Sequence, residues 1–512
     1  MRNCDSATLG MKKKRIQNIS FIVIFILTSS FLHFKDINKL PTSTHAWAQS
    51  DHYALALGFH NDGFNFFLPT TFALDVQFPA KEKLEYPSGI TAVDFPILHY
   101  TVALLMKALG TTAPWVFRLT MLLLSFLALF SLFKTLCSLK GTAIATIVVS
   151  FIMFQPIYCF YQDGFHVSAA AYNMFLIGLS FAIRYFHNEK HRYIIFSILF
   201  LTLASLMRFT HLISLLALGG SYFIISINKK SIHKNLYYIA GGVGIVLSYF
   251  IYNRILASQY GSIILGKAMP PHSASEAIFY LKRIIATYSR GFLPLIHLTM
   301  LILTVLAFWK YGKKRQNLME NPVLLWAGIS FIGTAMFSVL MMWGLSAHDY
   351  YSLDTWLPFI TIAMCYLLLN TDFSRIDKET IMVATSLFAV AVFSLATELQ
   401  LKKYSENINL GNTDIIIQDF SHSSKWLNEA IPKDSKTLII CPNGWNTPMI
   451  GWQRKAYRIH NINAQTLERL NNESYDYIVV HNASISNEES DQIQSYCKLI
   501  QSNNQLSIYQ QQ

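Results

Sequence analysis

The chain has 512 residues, of which 53% are hydrophobic, 14% aromatic and only 14% charged. That balance excludes an ordinary water-soluble protein and points to a polytopic membrane protein. A formal charge of +12 would suggest nucleic acid in a soluble domain. Here Lys and Arg fall in short clusters between apolar stretches, where they set orientation, and no nucleic-acid partner is expected.

The stretch MKKKRIQNISFIVIFILTSSFLHF, residues 11–34, joins a basic run to an apolar one. It lacks a small-residue cleavage site and more hydrophobic sequence follows, so it reads as an uncleaved signal anchor with Lys12 to Arg15 in the cytoplasm. A bilayer core takes about 20 apolar residues of helix. Eleven segments answer to this, near 17–34, 116–137, 141–161, 167–187, 192–207, 209–227, 236–253, 291–309, 322–343, 356–370 and 380–397. The segment 95–109, FPILHYTVALLMKAL, is shorter and carries His99 and Lys107, so it is expected to lie on the membrane surface.

Leaving 95–109 out puts Lys140, NEKHR (188–192), NKKSIHK (228–234), KYGKKR (310–315) and SRIDK (374–378) on the cytoplasmic side. Counting it as a span would reverse them all, against the positive-inside tendency. Residues 1–397 therefore form a transmembrane domain, with 35–115 as a first outer loop carrying interfacial helices. From 398 to 512 the sequence turns polar and reads as a separate extracytoplasmic α/β domain. Its expected strands are 436–441, 455–459, 475–481 and 506–510, and its expected helices 422–431 and 486–499. Cys441 and Cys497 can pair if that domain is extracytoplasmic.

The acids near the membrane, Asp51, Asp62, Asp94, Asp163, Asp349 and Asp354, all fall on the outer side. Ordinary loop charge accounts for Asp62 and Asp354, but ionisable groups kept at membrane depth usually face a cavity and partner one another. Asp51 lies in THAWAQSDHYALALGF, where Trp47, Asp51, Leu55 and Gly58 share a helical stripe. Asp163 follows FQPIYCFYQDGF, where Pro156 ends or kinks a span. A helix-end acid favoured by the dipole of the next helix is an equal reading for it. Cations on the same side are Arg118, Arg208, Lys282, Arg283 and Arg290. Arg208, with His211 one turn on, either snorkels to head groups or grips a lipid-linked phosphate. In GLSAHDYYSLDTWLP an aromatic belt explains Tyr350 and Tyr351 but not the adjacent His348 and Asp349. Nucleotide loops, zinc-protease and serine-hydrolase signatures and cysteine metal boxes are missing from the sequence.

Taken together, the chain resembles the GT-C superfamily of membrane glycosyltransferases, in the group with protein O-mannosyltransferases and the lipid A aminoarabinose transferase. The family's first-loop acid matches Asp51 in SDHYALALGFHNDGFNFFLP, and its Gly-to-Pro segment matches Gly63 to Pro69. DFPILHYTVALLMKALGTTAPWVFRL supplies the next pattern through Pro96, Tyr100, Lys107, Gly110 and Arg118, and Asp163 and the Tyr350–Tyr351 pair match later motifs. His52 replaces the family's second acid, and Asp94 stands where relatives carry a lysine. The resemblance implies a polyprenyl-phosphate sugar donor, an inverting transfer and a glycan, lipid or protein acceptor at the outer face of a bacterial inner membrane. Asp51 would be the general base and Asp163 would orient the acceptor or stabilise the transition state. Arg208, Arg118, Lys107, His211, Lys282 and Asp94 would serve the donor phosphate, and His348, Asp349, Tyr350 and Tyr351 the sugar. A divalent metal is compatible with converging carboxylates. Two alternatives remain open at this stage: a transporter of lipid-linked glycans, which would place polar groups at mid-bilayer, and a non-catalytic envelope assembly protein, which needs no clustered acids.

Overall fold

A computed structural model describes residues 2–75, 77–80, 88–263, 267–312, 320–404, 412–442 and 444–511. Its first part is a helical body built from α1 (Arg2–His33), α2 (Ala46–Asn61), α3 (Ile97–Leu109), α4 (Pro114–Lys140), α5 (Thr142–Met153), α6 (Pro156–Tyr161), α7 (Val167–Asn188), α8 (His191–Met207), α9 (Leu212–Asn228), α10 (Asn235–Tyr260), α11 (Ala274–Gly291), α12 (Leu295–Tyr311), α13 (Pro322–Leu340), α14 (Met342–Ala347), α15 (Tyr351–Asp354), α16 (Trp356–Asn370) and α17 (Lys378–Tyr404). Helices α1, α4, α7, α9, α10, α13 and α17 contribute seven segments long and apolar enough to cross a membrane. The protein is therefore an integral membrane protein. The other four expected spans are shorter helices, α5, α8, α12 and α16, of 12, 17, 17 and 15 residues. Part of the KYGKKR cluster, residues 313–315, lies outside the described residues.

Local chemistry explains the shortening. The expected span 141–161 breaks after α5 because Pro156 has no N–H to continue the ladder. Gln155 caps α6 instead, accepting from the Tyr158 N–H at 2.6 Å and donating to the Phe292 carbonyl at 2.7 Å. On α12, Leu295, Leu298, Ile302 and Leu306 are all exposed. They fall at helical spacing, a stripe that water would penalise and lipid would not.

The second part comprises α18 (Asn412–His422), α19 (Ser424–Ala430), β1 (Thr437–Ile440), α20 (Thr447–Trp452), β2 (Tyr457–Ile459), α21 (Ala464–Asn472), β3 (Tyr477–His481), α22 (Asn487–Gln494), β4 (Cys497–Ser502) and β5 (Leu506–Gln511). One sheet runs in the order β2-β1-β3-β5-β4. β1 is parallel to β2 and β3, β5 runs antiparallel to β3, and β4 antiparallel to β5. The helix expected over 486–499 stops at Gln494, and the chain turns back as edge strand β4, of which only Cys497 is buried. Cys441 and Cys497 are both buried free thiols. Cys441 directly follows β1, and β3 and β5 lie between β1 and β4. At about 4.8 Å per strand step that is roughly 14 Å, about twice the reach of a disulfide.

The α/β part does not stand apart from the helical part. A single hydrophobic cluster includes Tyr53 and Phe72 on one side and Ile416, Phe420, Met449, Trp452 and Ala456 on the other. The Ala456 N–H donates to the Phe72 carbonyl at 3.2 Å, and the Leu74 N–H to the Ala456 carbonyl at 3.0 Å. Thr42 Oγ1 donates to Asp414 at 2.6 Å, and Arg469 pairs with Asp75 at 2.9 Å. Between the two parts lies α2, with 12 of its 16 residues buried. It is enclosed by protein rather than laid on a surface with one wet face, because α3 packs on it from one side and α20 and α18 from another. Gly58 makes this possible: a Cβ there would stand 2.0 Å from the Thr70 carbonyl oxygen.

Candidate active site

The helical period of α2 turns Trp47, Ala48, Asp51 and His52 toward a cavity of about 630 Å³. His166 at the start of α7, Arg208 at the end of α8, and Trp343, His348, Tyr350 and Tyr351 around α14 and α15 form further walls. Gly444, Trp445 and His460 close it from the α/β part. Trp445 follows β1 and His460 follows β2. The carboxyl ends of parallel strands are where open α/β sheets present ligand-binding groups.

Asp51 is 5% exposed. Burial lifts its carboxyl from 3.8 to about 7, against the hydrogen bonds from Asn446 and the positive charge of Arg458. The Asn446 amide donates to Asp51 Oδ1 at 2.8 Å. Beside Asp51, the His52 and His99 ring nitrogens approach to 3.0 Å, and the His166 ring stands edge-on to His52 at 4.8 Å. Burial, then the neighbouring histidines and Arg208, hold His52 and His166 well below the ordinary histidine range. Burial likewise lowers His348 and His460 to about 4. The histidines at the walls are neutral at pH 7, so Asp51 faces uncharged imidazoles that can donate or accept.

Arg208 lies between two acids. Its NH1 is 3.1 Å from Asp94 Oδ2, and its Nε and NH2 are 3.0 and 2.9 Å from Asp354 Oδ2. Its guanidinium also stands over the rings of Tyr350 and Tyr351. Burial raises the proton affinity of both acids. Arg208 overcomes this at Asp354, which ends below the usual carboxylate range, but not at Asp94, which ends above it. Asp354 is thus a buried structural acid rather than a simple loop charge, also receiving Ser168 Oγ at 3.0 Å with His211 Nε2 at 3.6 Å.

Of the residues singled out from the sequence, Asp51, Arg208, His348, Tyr350 and Tyr351 line the cavity. Asp94 and His211 back it through Arg208 and Asp354, whereas Asp349 does not line it: its Oδ1 is 3.4 Å from His45 Nε2 and accepts from Tyr161 at 2.8 Å. Asp163 and Arg118 do not reach it. Asp163 is fully buried between His33 Nδ1 at 3.2 Å and Arg118 NH1 at 3.1 Å. Lys107 stands over the Phe64 ring, and Lys282 is exposed on α11. The sequence reading did not single out His52 or His166 as site residues, nor Trp445, Asn446 and His460. Among the described residues no group of three or more His, Cys, Asp or Glu side chains is arranged to hold a metal ion.

Comparison with solved structures places this architecture. The chain is similar to ArnT from Cupriavidus metallidurans in the apo state, with 11% identity and a TM-score of 0.55 over 96% of this chain and 98% of that one. The same enzyme bound to undecaprenyl phosphate gives 9% identity and a TM-score of 0.58 over the same shares. The fold is therefore the GT-C fold of membrane glycosyltransferases. Within that class, residues 81–265 match the family model of the Alg9-like mannosyltransferases. A search of curated proteins gives no match.

Proposed function

We propose that the protein is a GT-C glycosyltransferase that moves a sugar from a polyprenyl-phosphate carrier to an acceptor hydroxyl on a glycan, lipid or protein. The observation that carries this reading is Asp51, a carboxyl that burial lifts to about 7, at the wall of a cavity it shares with Arg208, aromatic rings and imidazoles. The mannosyltransferase family match and the fold of an enzyme crystallised with undecaprenyl phosphate support it.

A base is most effective when its pKa lies near the working pH, and Asp51 meets that condition. It would take the proton of the acceptor hydroxyl as that oxygen attacks the anomeric carbon, from the face opposite the departing phosphate, which inverts the centre. The leaving phosphate needs stabilised charge more than a proton. Arg208 is the Arg or Lys that lines the cavity among the described residues. The flat rings of Trp47, Trp445, Tyr350 and Tyr351 would hold the sugar. Asp163 would act from a distance, anchoring the turn that presents His166. The positive-inside pattern supports a cytoplasmic N-terminus with the cavity at the outer face, in our reading that of a bacterial inner membrane.

The test is transfer of radiolabelled sugar from a pool of polyprenyl-phosphate sugars to envelope extract, comparing wild type with folded, membrane-inserted Asp51→Asn. Transfer by the wild type that is lost in the variant is expected. Equal transfer by both would remove Asp51 from the role of base.

A further inference from the structure

We infer that the C-terminal α/β domain is part of the reaction centre, with Asn446 as the positioning residue that fixes the Asp51 carboxylate at the cavity wall. The inference rests on the transferase reading above.

Asn446 is fully buried in the turn between β1 and α20. Its Oδ1 accepts from Thr71 Oγ1 at 2.7 Å, from the Phe72 N–H at 3.1 Å and from the Ala73 N–H at 2.8 Å. Two of those partners are backbone N–H groups that can only donate, so the amide oxygen must face them. The nitrogen is thereby turned to Asp51 Oδ1, 2.8 Å away. This geometry gives Asp51 a donor that cannot swap to an acceptor, which holds one carboxylate oxygen and favours the charged form a base requires. The turn itself is pressed onto α2. Gly444 has φ +54°, and a Cβ there would fall 2.8 Å from Trp47 Cβ and closer still to Thr447. The same domain brings Trp445 and His460 to the cavity wall, so it supplies both surface and orientation.

Other charged or titratable groups around Asp51 are accounted for. Arg458 acts on it from β2. His52, His166, Arg208, His348 and His460 line the cavity with it. His99 of α3 is turned to His52, and Asp414 of α18 to Thr42 and Ser43. Helix α20 carries no titratable side chain.

Asn446→Asp tests the role. It keeps an oxygen for Thr71, Phe72 and Ala73 and replaces only the nitrogen that serves Asp51 with a second carboxylate oxygen. The acidic limb of kcat/KM should move up by about one pH unit or more, with the rate at pH 7 down about fivefold or more and recovering toward pH 9. A limb that stays in place, or a loss that no pH restores, overturns the inference. Should that variant not fold, Asn446→Ala carries the same test, because it removes the donor without adding charge. There too the limb should rise, and an unmoved limb counts against the inference. Asp51→Asn, run alongside, separates the two ideas: activity in that variant refutes Asp51 as base, whereas its inactivity with an unmoved limb in the Asn446 variant refutes only the positioning role.

Discussion

Replacing Asp51 by Asn should make the folded protein harder to unfold above neutral pH. The Asp51 carboxyl holds its proton up to about 7 in the folded state, against 3.8 for an ordinary aspartate. Folding therefore takes up a proton across that window. The wild type is at its best, as far as this group is concerned, below pH 4 and loses stability as pH rises toward and through 7. At about 1.4 kcal/mol for each tenfold change in proton affinity, ionising buried Asp51 costs about 2 kcal/mol at pH 5 and up to about 4 kcal/mol at pH 8. Asparagine carries no charge and still offers an oxygen to the Asn446 amide. Thermal unfolding in detergent micelles should then show the variant above wild type by a margin that roughly doubles between pH 5 and pH 8. A variant that melts below wild type at pH 8, or by the same margin at both pH values, would refute the reasoning.

Arg208→Met leaves Asp94 and Asp354 without the guanidinium between them. It should cost about 3–5 kcal/mol, the usual penalty for stranding a buried charge, whereas Asp94→Asn should cost clearly less because Arg208 keeps Asp354. Thermal unfolding in micelles ranks the two. Arg118→Met strands fully buried Asp163 beside His33 and should lower the melting midpoint comparably. Donor KM of the folded fraction should stay near wild type, because neither residue lines the cavity; a raised KM with an unchanged midpoint would place both at the substrate. Gly58→Ala drives a methyl against the Thr70 carbonyl and should displace the Thr71–Ala73 segment that holds Asn446. Transfer at neutral pH should fall further than the melting midpoint alone explains, and unchanged kcat/KM would contradict the close approach.

Local pattern made much of this molecule legible. Apolar runs located the spans, the stripe through Trp47 and Asp51 gave α2, and short runs rich in β-branched and aromatic residues gave four of five strands. Strand β4 escaped because it is an edge whose residues after Cys497 all face outward, so its sequence has no buried face to reveal it. All eleven expected segments are helical, seven of them long and apolar enough to cross a membrane, and the break at Gln155 depends on side-chain capping rather than on hydropathy. At the site, the first-loop acid and the His348–Tyr351 run stood out as polar groups in an oily context. Asp163 did so for the same reason, yet its charge is consumed by His33 and Arg118, which only tertiary packing brings to it. Trp445, Asn446 and His460 looked like ordinary loop residues, since nothing in the spacing of a turn reports which helix will press against it.

The pairing of Asp51 with Asn446 spans 395 residues of chain. At ribosomal rates of roughly 5–20 residues per second, about 20–80 s separate the synthesis of the two side chains. During that interval the growing polypeptide holds its carboxyl without the amide that orients it, and the wall formed by Trp445 and His460 does not yet exist. On the reading proposed above, the membrane helices are laid down before the α/β part, and the wall that orients Asp51 is complete only once that part docks.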